Sequence, residues 1–103
     1  MKPQLYIAGP YSEGDTVHNI QNAVNIAGLA RVRGWTPFIP HLFHLWHLID
    51  PHHREYWMEL DKEYLLRSDA LYRLVGKSRG ADEEVALAVA RGIPVYYNSV
   101  PKV

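Results

Sequence analysis

The stretch Gly80–Tyr97, GADEEVALAVARGIPVYY, combines a glycine turn, a short helix and a buried strand. Apolar residues recur at helical spacing between Val85 and Val89, which predicts a helix with one buried face. Gly92 stands where a helix favours a left-handed terminator. The β-branched and aromatic run Ile93–Tyr97 then predicts a strand. The stretch therefore predicts a helix that leads directly into a sheet.

Three consecutive acids, Asp82, Glu83 and Glu84, fall in the first predicted turn of this helix. Carboxylates suit the positive end of a helix, and one interpretation is that they only stabilise it. The other interpretation is that one of them is an ionised carboxylate used in chemistry. In that case the helix end would keep its pKa low, as a carboxylate nucleophile needs. The stretch alone leaves both interpretations open.

Composition limits the class of protein. The 103 residues suffice for one small domain with one core, and the 48% hydrophobic content indicates a folded globule. A formal net charge of zero gives no indication of a nucleic-acid partner, and the absence of cysteine excludes disulfides and thiolate chemistry. No apolar run is long enough to span a bilayer, and the N-terminus has no signal-peptide pattern. We therefore expect a cytoplasmic protein with no membrane partner.

A strand and a helix are predicted for the first third of the chain. The apolar run Leu5–Ala8 ends at Gly9 and Pro10, which fits a buried strand closed by a turn, and we expect this strand to be central in the sheet. A helix follows over about 16–33, with Asp15 as its N-cap. The apolar stripe predicted for this helix consists of Val17, Ile20, Val24 and Ala27.

Two further strands and one helix are predicted for the middle of the chain. Trp35–Ile39 predicts a second strand, and Pro37 favours a position at the edge of the sheet. The aromatic and histidine-rich segment Pro40–His53 is predicted to be irregular. A helix over about Arg54–Arg67 and a strand over Ala70–Val75 follow.

The predicted order of elements is β-α-β-loop-α-β-α-β. Such alternation predicts a single α/β domain over residues 1–103, with a flavodoxin- or Rossmann-like parallel sheet of four to five strands flanked by helices. Ligands of open parallel sheets bind beyond the carboxyl ends of the strands. Here those ends are 8–12, 40–41 and 76–80, and Glu84 faces the same rim. Glycine-containing loops and two helix N-termini converge there, which suits an anionic or hydroxyl-rich small molecule.

The order of short motifs along the chain resembles the nucleoside 2-deoxyribosyltransferase superfamily, in particular its short members of unknown function. The similarity begins with LYIAGPYS at Leu5–Ser12 and continues with RGW at 33–35 and with Pro-His at 40–41. Asp61 and the Ser-Asp pair at 68–69 resemble the acid-bearing helix that leads into the next strand. The similarity covers nearly the whole chain.

The similarity ends with the superfamily pattern S-x-G-x-x-x-E-x-x-x-A-x-x-x-G, which matches Ser78, Gly80, Glu84, Ala88 and Gly92. The resemblance implies cleavage of the bond between a base and 2-deoxyribose. A glutamate attacks the anomeric carbon and forms a glycosyl-enzyme ester, which a second base or water then releases. The implied partners are a small nucleoside or nucleotide and a free base.

The resemblance also implies roles for individual residues. Glu84 matches the nucleophile by its position in this pattern, with Glu83 as the competitor. Tyr6 resembles the tyrosine whose hydroxyl orients that glutamate, the alternative being a core aromatic. Asp61 resembles the acid that manages the proton of the base, the alternative being a solvated helix acid; Asp69 is expected only to anchor a strand. The residues expected to bind the substrate are Gly9, Pro10, Tyr11, Ser12, His41, Ser78 and Gly80.

Ser78 departs from the base-exchanging members, which often carry an acid there that holds the 5′-hydroxyl of the sugar. The branch that hydrolyses nucleoside 5′-monophosphates tends to have a serine. Between Lys77 and Arg79, a serine hydroxyl would bind a phosphate group better than an acidic side chain at the same position would. The alternative is that Ser78 is an ordinary loop serine. Three functions follow: base exchange on deoxynucleosides, hydrolysis of nucleoside 5′-monophosphates, and a catalytically silent nucleotide-binding module. Base exchange is preferred as the main activity of the superfamily.

The histidine-rich segment consists of His41, His44, His47, His52 and His53 with interleaved apolar residues. A three-residue spacing of histidines can indicate a metal site, but no matching acid or cysteine pattern appears. We therefore expect no metal and no cofactor. We expect instead a lid over the base, with Trp46 or Phe43 stacking on it. The alternative is a subunit contact, and the many aromatic residues favour a homo-oligomer.

Overall fold

Four parallel strands form the sheet at the centre of the computed structural model, which describes all of residues 1–103. The strands are β1 (Gln4–Ala8), β2 (Thr36–Phe38), β3 (Ala70–Arg73) and β4 (Val95–Tyr96). Their order is β2-β1-β3-β4, so the first strand is flanked on both sides, as predicted. Pro37 lies in the edge strand β2, where a residue without an amide hydrogen is tolerated.

Helices cover both faces of this sheet. They are α1 (Thr16–Val32), α2 (Phe43–Ile49), α3 (Arg54–Leu66) and α4 (Arg79–Ala90). Alternate residues of β1 point to opposite faces: Leu5 and Ile7 pack with α1, whereas Tyr6 and Ala8 pack with α3 and α4. The chain is therefore a single α/β domain with a parallel sheet, as the alternation of elements predicts. None of the helices combines the length and the apolar character needed to cross a membrane.

The apolar stripe predicted for α1 is wrong in part. Val17 and Val24 are 73% and 43% exposed, whereas Ala23, Ala27 and Ala30 form the buried face. Small side chains let α1 approach the sheet closely at native packing density. The packed face is therefore rich in alanine, and the larger valines of the predicted stripe face solvent.

Local contacts fix the ends of several elements where the sequence predicts them. Asp15 caps α1, because its carboxylate accepts a hydrogen bond from the backbone N–H of His18 at 3.1 Å. The carboxylate of Asp69 accepts a hydrogen bond from the backbone N–H of Gln4 at 2.8 Å and so anchors the starts of β1 and β3 to each other. Gly92 follows α4 with a φ of +71°, the left-handed conformation that ends helices.

The segment Pro40–His53 is not irregular, contrary to the prediction. A 3-10 turn at Pro40–Leu42 leads into α2. Apolar residues occupy both faces of α2 and hide its periodicity: Phe43 packs on other aromatic rings, while Leu45 and Ile49 are 65% and 78% exposed. The exposed outer face of α2 suits a subunit contact, and the homo-oligomer stays a prediction.

Candidate active site

A cavity of about 360 Å³ opens at the carboxyl ends of the strands. It is bounded by the loop after β1, by the 3-10 turn and α2, by α3, and by the start of α4. The strands β2 and β3 lie on opposite sides of β1, so the strand order reverses next to the cavity. Open α/β sheets bind ligands at such a position, and the volume is within the range of small-molecule sites.

Glu84 lines this cavity from α4 and is only 6% exposed. The hydroxyl of Tyr6 donates a hydrogen bond to Oε2 of Glu84. Tyr6 is fully buried in β1, and this burial raises the pKa of its hydroxyl well above the usual value, so the hydroxyl remains a protonated donor. The central strand thus holds the carboxyl group of the helix in one orientation.

The position and the pKa of Glu84 both differ from the prediction. The helix α4 begins at Arg79 behind the N-cap Ser78, so Asp82 lies in the first turn and Glu84 in the second. Burial raises the pKa of Glu84 to about 8, and the hydrogen bond from Tyr6 opposes this shift without cancelling it. The field of a helix end acts mainly within the first turn. Desolvation therefore decides the pKa of Glu84.

Asp61 lines the same cavity from α3. Burial raises its pKa to about 7, and its Oδ1 atom is buried without a hydrogen-bond partner. The negative charge of Asp61 also raises the pKa of Glu84. Asp61 is therefore not a solvated helix acid, and its charge acts on the carboxyl group of Glu84 in the same cavity.

The loop after β1 supplies another wall of the cavity. Its lining members are Gly9, Tyr11, Ser12 and Glu13. Pro10 does not line the cavity, but its carbonyl accepts a hydrogen bond from Nε2 of His41 at 3.0 Å. His41 lines the cavity and is 4% exposed; its Nδ1 has no partner, and burial lowers its pKa, which favours the neutral ring. A Cβ at Gly9 would stand 2.7 Å from Cβ of Leu74, so glycine is needed where the loop crosses the end of β3.

Ser78 and Gly80 line the cavity at the start of α4. Oγ of Ser78 accepts a hydrogen bond from the backbone N–H of Ala81 at 3.1 Å and so caps the helix. Arg79 also lines the cavity, whereas Lys77 does not. Ser78 is therefore more than an ordinary loop serine. The capping bond leaves its hydroxyl hydrogen free to donate to a ligand.

Glu83, the competing candidate for the nucleophile, does not line the cavity. Its carboxylate accepts hydrogen bonds from Arg54 at 3.3 Å and from Arg79 at 3.2 Å. The hydrogen bond from Arg54 lowers its pKa. Glu83 therefore joins two cations at the rim of the cavity, while its neighbour Glu84 is buried inside.

Residues around the cavity that come from α2, from α3 and from the connection between them are largely absent from the set predicted from the sequence. They are His44, His47, His52, Arg54, Trp57 and Met58. The indole N–H of Trp57 donates to Nδ1 of His47 at 2.9 Å, and the hydroxyl of Tyr11 pairs with Nδ1 of His44. The three-residue spacing of the histidines was the available signal. Residues that are three positions apart lie on the same side only in a helix, and the sequence pattern did not predict a helix in this segment.

The two aromatic side chains expected to stack on a base have different positions. Phe43 lines the cavity, whereas Trp46 is 40% exposed and packs behind Phe43, with 5.6 Å between the ring centroids. No group of three or more histidine, cysteine, aspartate or glutamate side chains is arranged to hold a metal ion. Four histidines, His41, His44, His47 and His52, line the cavity, and each takes part in a hydrogen bond.

The fold is shared with a known class of enzyme. The structure of the 2-deoxyribosyltransferase from Bacillus psychrosaccharolyticus, described as a biocatalyst for the synthesis of antiviral and antitumoral nucleosides, matches with a TM-score of 0.66 at 20% sequence identity, over 91% of this chain and 70% of that one. A conserved protein from Enterococcus faecalis V583 matches with a TM-score of 0.70 at 21% identity, over 94% of this chain and 63% of that one. The chain therefore has the fold of the 2-deoxyribosyltransferases, as the motifs predict.

The chain belongs to the family described as Domain of unknown function (DUF7768), whose model matches residues 3–98. The match covers all four strands and all four helices. A comparison with curated proteins finds no match. Family membership thus agrees with the predicted short member of unknown function.

Proposed function

We propose that this protein transfers 2-deoxyribose between bases through a covalent ester of the sugar with Glu84. The observation that carries the proposal is the buried carboxyl group of Glu84, oriented by the hydroxyl of Tyr6 in a cavity that also contains the carboxyl group of Asp61. A nucleophile next to an acid/base group suits cleavage at an anomeric carbon. The fold shared with the 2-deoxyribosyltransferase from Bacillus psychrosaccharolyticus supports the same class of reaction.

In the first step, an oxygen of the ionised Glu84 carboxylate attacks C1′ of a 2′-deoxynucleoside. The C1′–N bond breaks, and its electron pair stays with the base. The protonated carboxyl group of Asp61 gives its proton to a nitrogen of the departing base. A neutral base and a deoxyribosyl ester of Glu84 result, while the hydroxyl of Tyr6 keeps the reacting carboxyl group in place.

In the second step, a nitrogen of an incoming base attacks C1′ of the ester. The C1′–O bond breaks, and its electron pair returns to the carboxylate of Glu84. Asp61, now a carboxylate, takes the N–H proton of the incoming base and is ready for another cycle. Both steps pass through an oxocarbenium-like transition state that the nearby carboxylate stabilises. Water in place of the base would release free deoxyribose.

The pair of acids needs one proton and one negative charge for this reaction. Burial raises the pKa values of Glu84 and Asp61 into the neutral range, so the two acids can hold a proton at neutral pH, and the first step needs it on Asp61. The hydrogen bond from Tyr6 favours a charged Glu84, and Oδ1 of Asp61 has no such donor. A bound base whose nitrogen accepts a hydrogen bond from Asp61 moves the proton there.

Incubation with a 2′-deoxynucleoside and a different free base tests the proposal. The expected product is the deoxynucleoside of the added base, formed in proportion to the amount of protein. Mass spectrometry of acid-quenched protein should find one deoxyribosyl group on Glu84. The proposal fails if no common deoxynucleoside exchanges its base and no carboxylate carries the sugar. A sugar found on Glu83 would move the nucleophile by one position.

A second function, hydrolysis of deoxynucleoside 5′-monophosphates with the same nucleophile, is supported by the start of α4. Ser78 and Arg79 line the cavity there together with Arg54, and both arginines are joined only to the carboxylate of Glu83. Positive charge around a hydroxyl suits a phosphate group. Incubation with a monophosphate and no free base separates the two functions. Release of base from the monophosphate but not from the nucleoside would favour hydrolysis.

A catalytically silent nucleotide-binding module has less support. It would be favoured by a Glu84 that pointed away from the loop at Gly9. Both residues line one cavity, and the pKa values of Glu84 and Asp61 are both raised. Strongly shifted carboxyl groups in a cleft are typical of catalytic sites. The silent module predicts tight binding of a nucleotide without turnover, which the same incubations would reveal.

A further inference from the structure

The hydrogen bonds around His47 determine which of its ring nitrogens carries the hydrogen. The indole N–H of Trp57 donates to Nδ1 of His47 at 2.9 Å, and the backbone N–H of His52 donates to the same atom at 3.3 Å. Both of these groups can only donate, so Nδ1 is an acceptor and carries no hydrogen. In the neutral ring the hydrogen is therefore on Nε2.

The Nε2–H group of His47 is a donor without a partner in the chain. His47 lines the cavity, and both hydrogen bonds of its ring use Nδ1. The buried polar side-chain atoms without a partner are Nδ1 of His41 and Oδ1 of Asp61, so Nε2 of His47 is accessible. A ligand in the cavity thus meets a hydrogen-bond donor that cannot become an acceptor while Trp57 holds the ring.

The side chains next to His47 suit a flat heterocycle. Phe43 and Trp57 both line the cavity, with 5.9 Å between their ring centroids and 29° between their planes. The ring of Trp57 is nearly perpendicular to that of His47, at 83°. A base that stacks on an aromatic ring presents its polar edge sideways, towards donors and acceptors in the wall.

We propose that Nε2–H of His47 donates a hydrogen bond to a ring carbonyl oxygen of the base, so that the site prefers oxo bases to their amino counterparts. The inference rests on the proposed function for the nucleoside and adds the chemical class of base. A 6-oxopurine or a 4-oxopyrimidine offers an acceptor to this donor. An amino group in the same place sets two donors against each other and leaves both unpaired in a partly desolvated site.

His44 differs from His47 in the hydrogen-bond partner of its Nδ1 atom. The partner of Nδ1 of His44 is the hydroxyl of Tyr11, which can donate or accept. Either tautomer of His44 satisfies that contact, so its Nε2 can serve as donor or acceptor. A substitution at His44 therefore has no fixed sign of effect on the choice between oxo and amino bases.

The kinetic test compares kcat/KM for 2′-deoxyinosine and 2′-deoxyadenosine, which carry an oxo and an amino group at purine position 6. We expect the wild type to prefer deoxyinosine by at least about tenfold. His47→Leu should lose this preference through a lower kcat/KM for deoxyinosine. The exposed His53 lies outside the cavity, so His53→Gln is the matched control and should keep the wild-type ratio. A wild-type ratio near one, or a ratio unchanged in His47→Leu, would overturn the inference.

A spectroscopic test covers the case in which His47→Leu does not fold. Two-bond 1H–15N correlation spectra of the wild type should show His47 as the Nε2–H tautomer. Trp57→Phe keeps a ring in place but removes the indole N–H, so the tautomer should become mixed and the preference for deoxyinosine should fall. An Nδ1–H tautomer in the wild type contradicts the inference, whatever the activity.

Binding of free bases separates a failure of this inference from a failure of the proposed function. If neither deoxynucleoside is turned over, the proposed function fails, and the affinities for hypoxanthine and adenine decide the role of His47. Tighter binding of hypoxanthine, lost in His47→Leu, supports the donor. Equal affinities, or binding of neither base, overturn it.

Discussion

The cavity has two sides that are held in different ways. The acid side consists of Tyr6, Asp61 and Glu84, and the histidine side consists of His47 and Trp57 with their neighbours. Tyr6 and Glu84 are 0% and 6% exposed on a central strand and a helix packed against it, whereas His47 and Trp57 are half-buried on α2 and α3. In the proposed function, the buried groups make and break bonds and the more accessible groups select the base.

The two sides also differ in what their surroundings change. Burial on the acid side raises the pKa values of Asp61 and Glu84 into the neutral range, so the surroundings set their charge. Hydrogen bonds on the histidine side set the tautomer of His47 and hence its donor position. Substitutions on the acid side should therefore affect all bases alike, and substitutions on the histidine side should affect the choice between bases.

The largest effect is expected from removal of the nucleophile on the acid side. Glu84→Gln still accepts a hydrogen bond from Tyr6 but cannot form the ester, so kcat should fall by at least about 10³-fold with every base. Glu63→Gln, at an exposed ion pair of α3, is the matched control and should behave as wild type. The base-exchange assay measures both. An undiminished rate in Glu84→Gln would show that the acid side does not supply the nucleophile of the reaction.

The next largest effect is expected from Asp61→Asn. The wild type should show a bell-shaped pH dependence of kcat/KM, which rises as the pair loses its first proton and falls as it loses the second, in the region of the pKa values of about 7 and about 8. Loss of the acid should lower the rate by about 10²- to 10⁴-fold. The variant should lack the falling limb and keep a rising limb, because Glu84 still has to lose its proton while the acid that loses the second proton is gone. A retained falling limb would assign it to another group.

A smaller effect, limited to one substrate, is expected from Ser78→Asp. Aspartate is a good N-cap, so α4 should keep its start, while the added charge repels a 5′-phosphate. If monophosphates are substrates, their kcat/KM relative to the nucleosides should fall by at least about tenfold. If nucleosides are the substrates, the ratio should already favour them and change little. A clear monophosphate activity with an unmoved ratio would mean that Ser78 does not face the 5′ position.

The smallest effect concerns stability and follows from the raised pKa of Glu84. The group has an ordinary pKa of 4.5 and a pKa of about 8 in the folded state, so its favourable contribution is complete below pH 4.5 and is lost as the pH rises through 8. Glu84→Gln imitates the protonated form at every pH. Its melting temperature should match the wild type at low pH and exceed it at pH 9 by about 4–8 °C or more, for on the order of 1 kcal/mol. Scanning calorimetry of both proteins from low pH to pH 9 measures the difference in melting temperature. A difference that does not change with pH would mean that folding does not raise the pKa of Glu84.

Short-range sequence patterns were sufficient to predict the parallel sheet and the ends of helices. The alternation of strands and helices predicted the parallel sheet with β1 inside it, because each strand is separated from the next by a helix. Asp15 and Gly92 mark helix ends through groups within a few residues of each other. The buried face of α1 was predicted only in part: Ala27 is buried as predicted, but Ala23 and Ala30 were missed because alanines carry little hydrophobic signal in the sequence.

The acid side was accessible from the sequence only as a set of candidate positions. The pattern around Glu84 singled it out from Asp82 and Glu83 through resemblance, and Glu83 proves to be at the rim. The direction of the pKa shift was not accessible. It depends on how many turns precede Glu84 in α4 and on how deeply the packed helices bury it, and neither is a property of the neighbouring residues.

The sequence determined the order of elements, the caps, and the chemical groups that the chain can offer, because these depend on residues close together along the chain. Tertiary structure decided what those groups do. Tyr6 reaches Glu84 across 78 positions, and Trp57 fixes the tautomer of His47 across a turn between two helices. Desolvation and hydrogen-bond geometry arise only when such distant segments pack together, so charge and donor position in the cavity belong to the folded state.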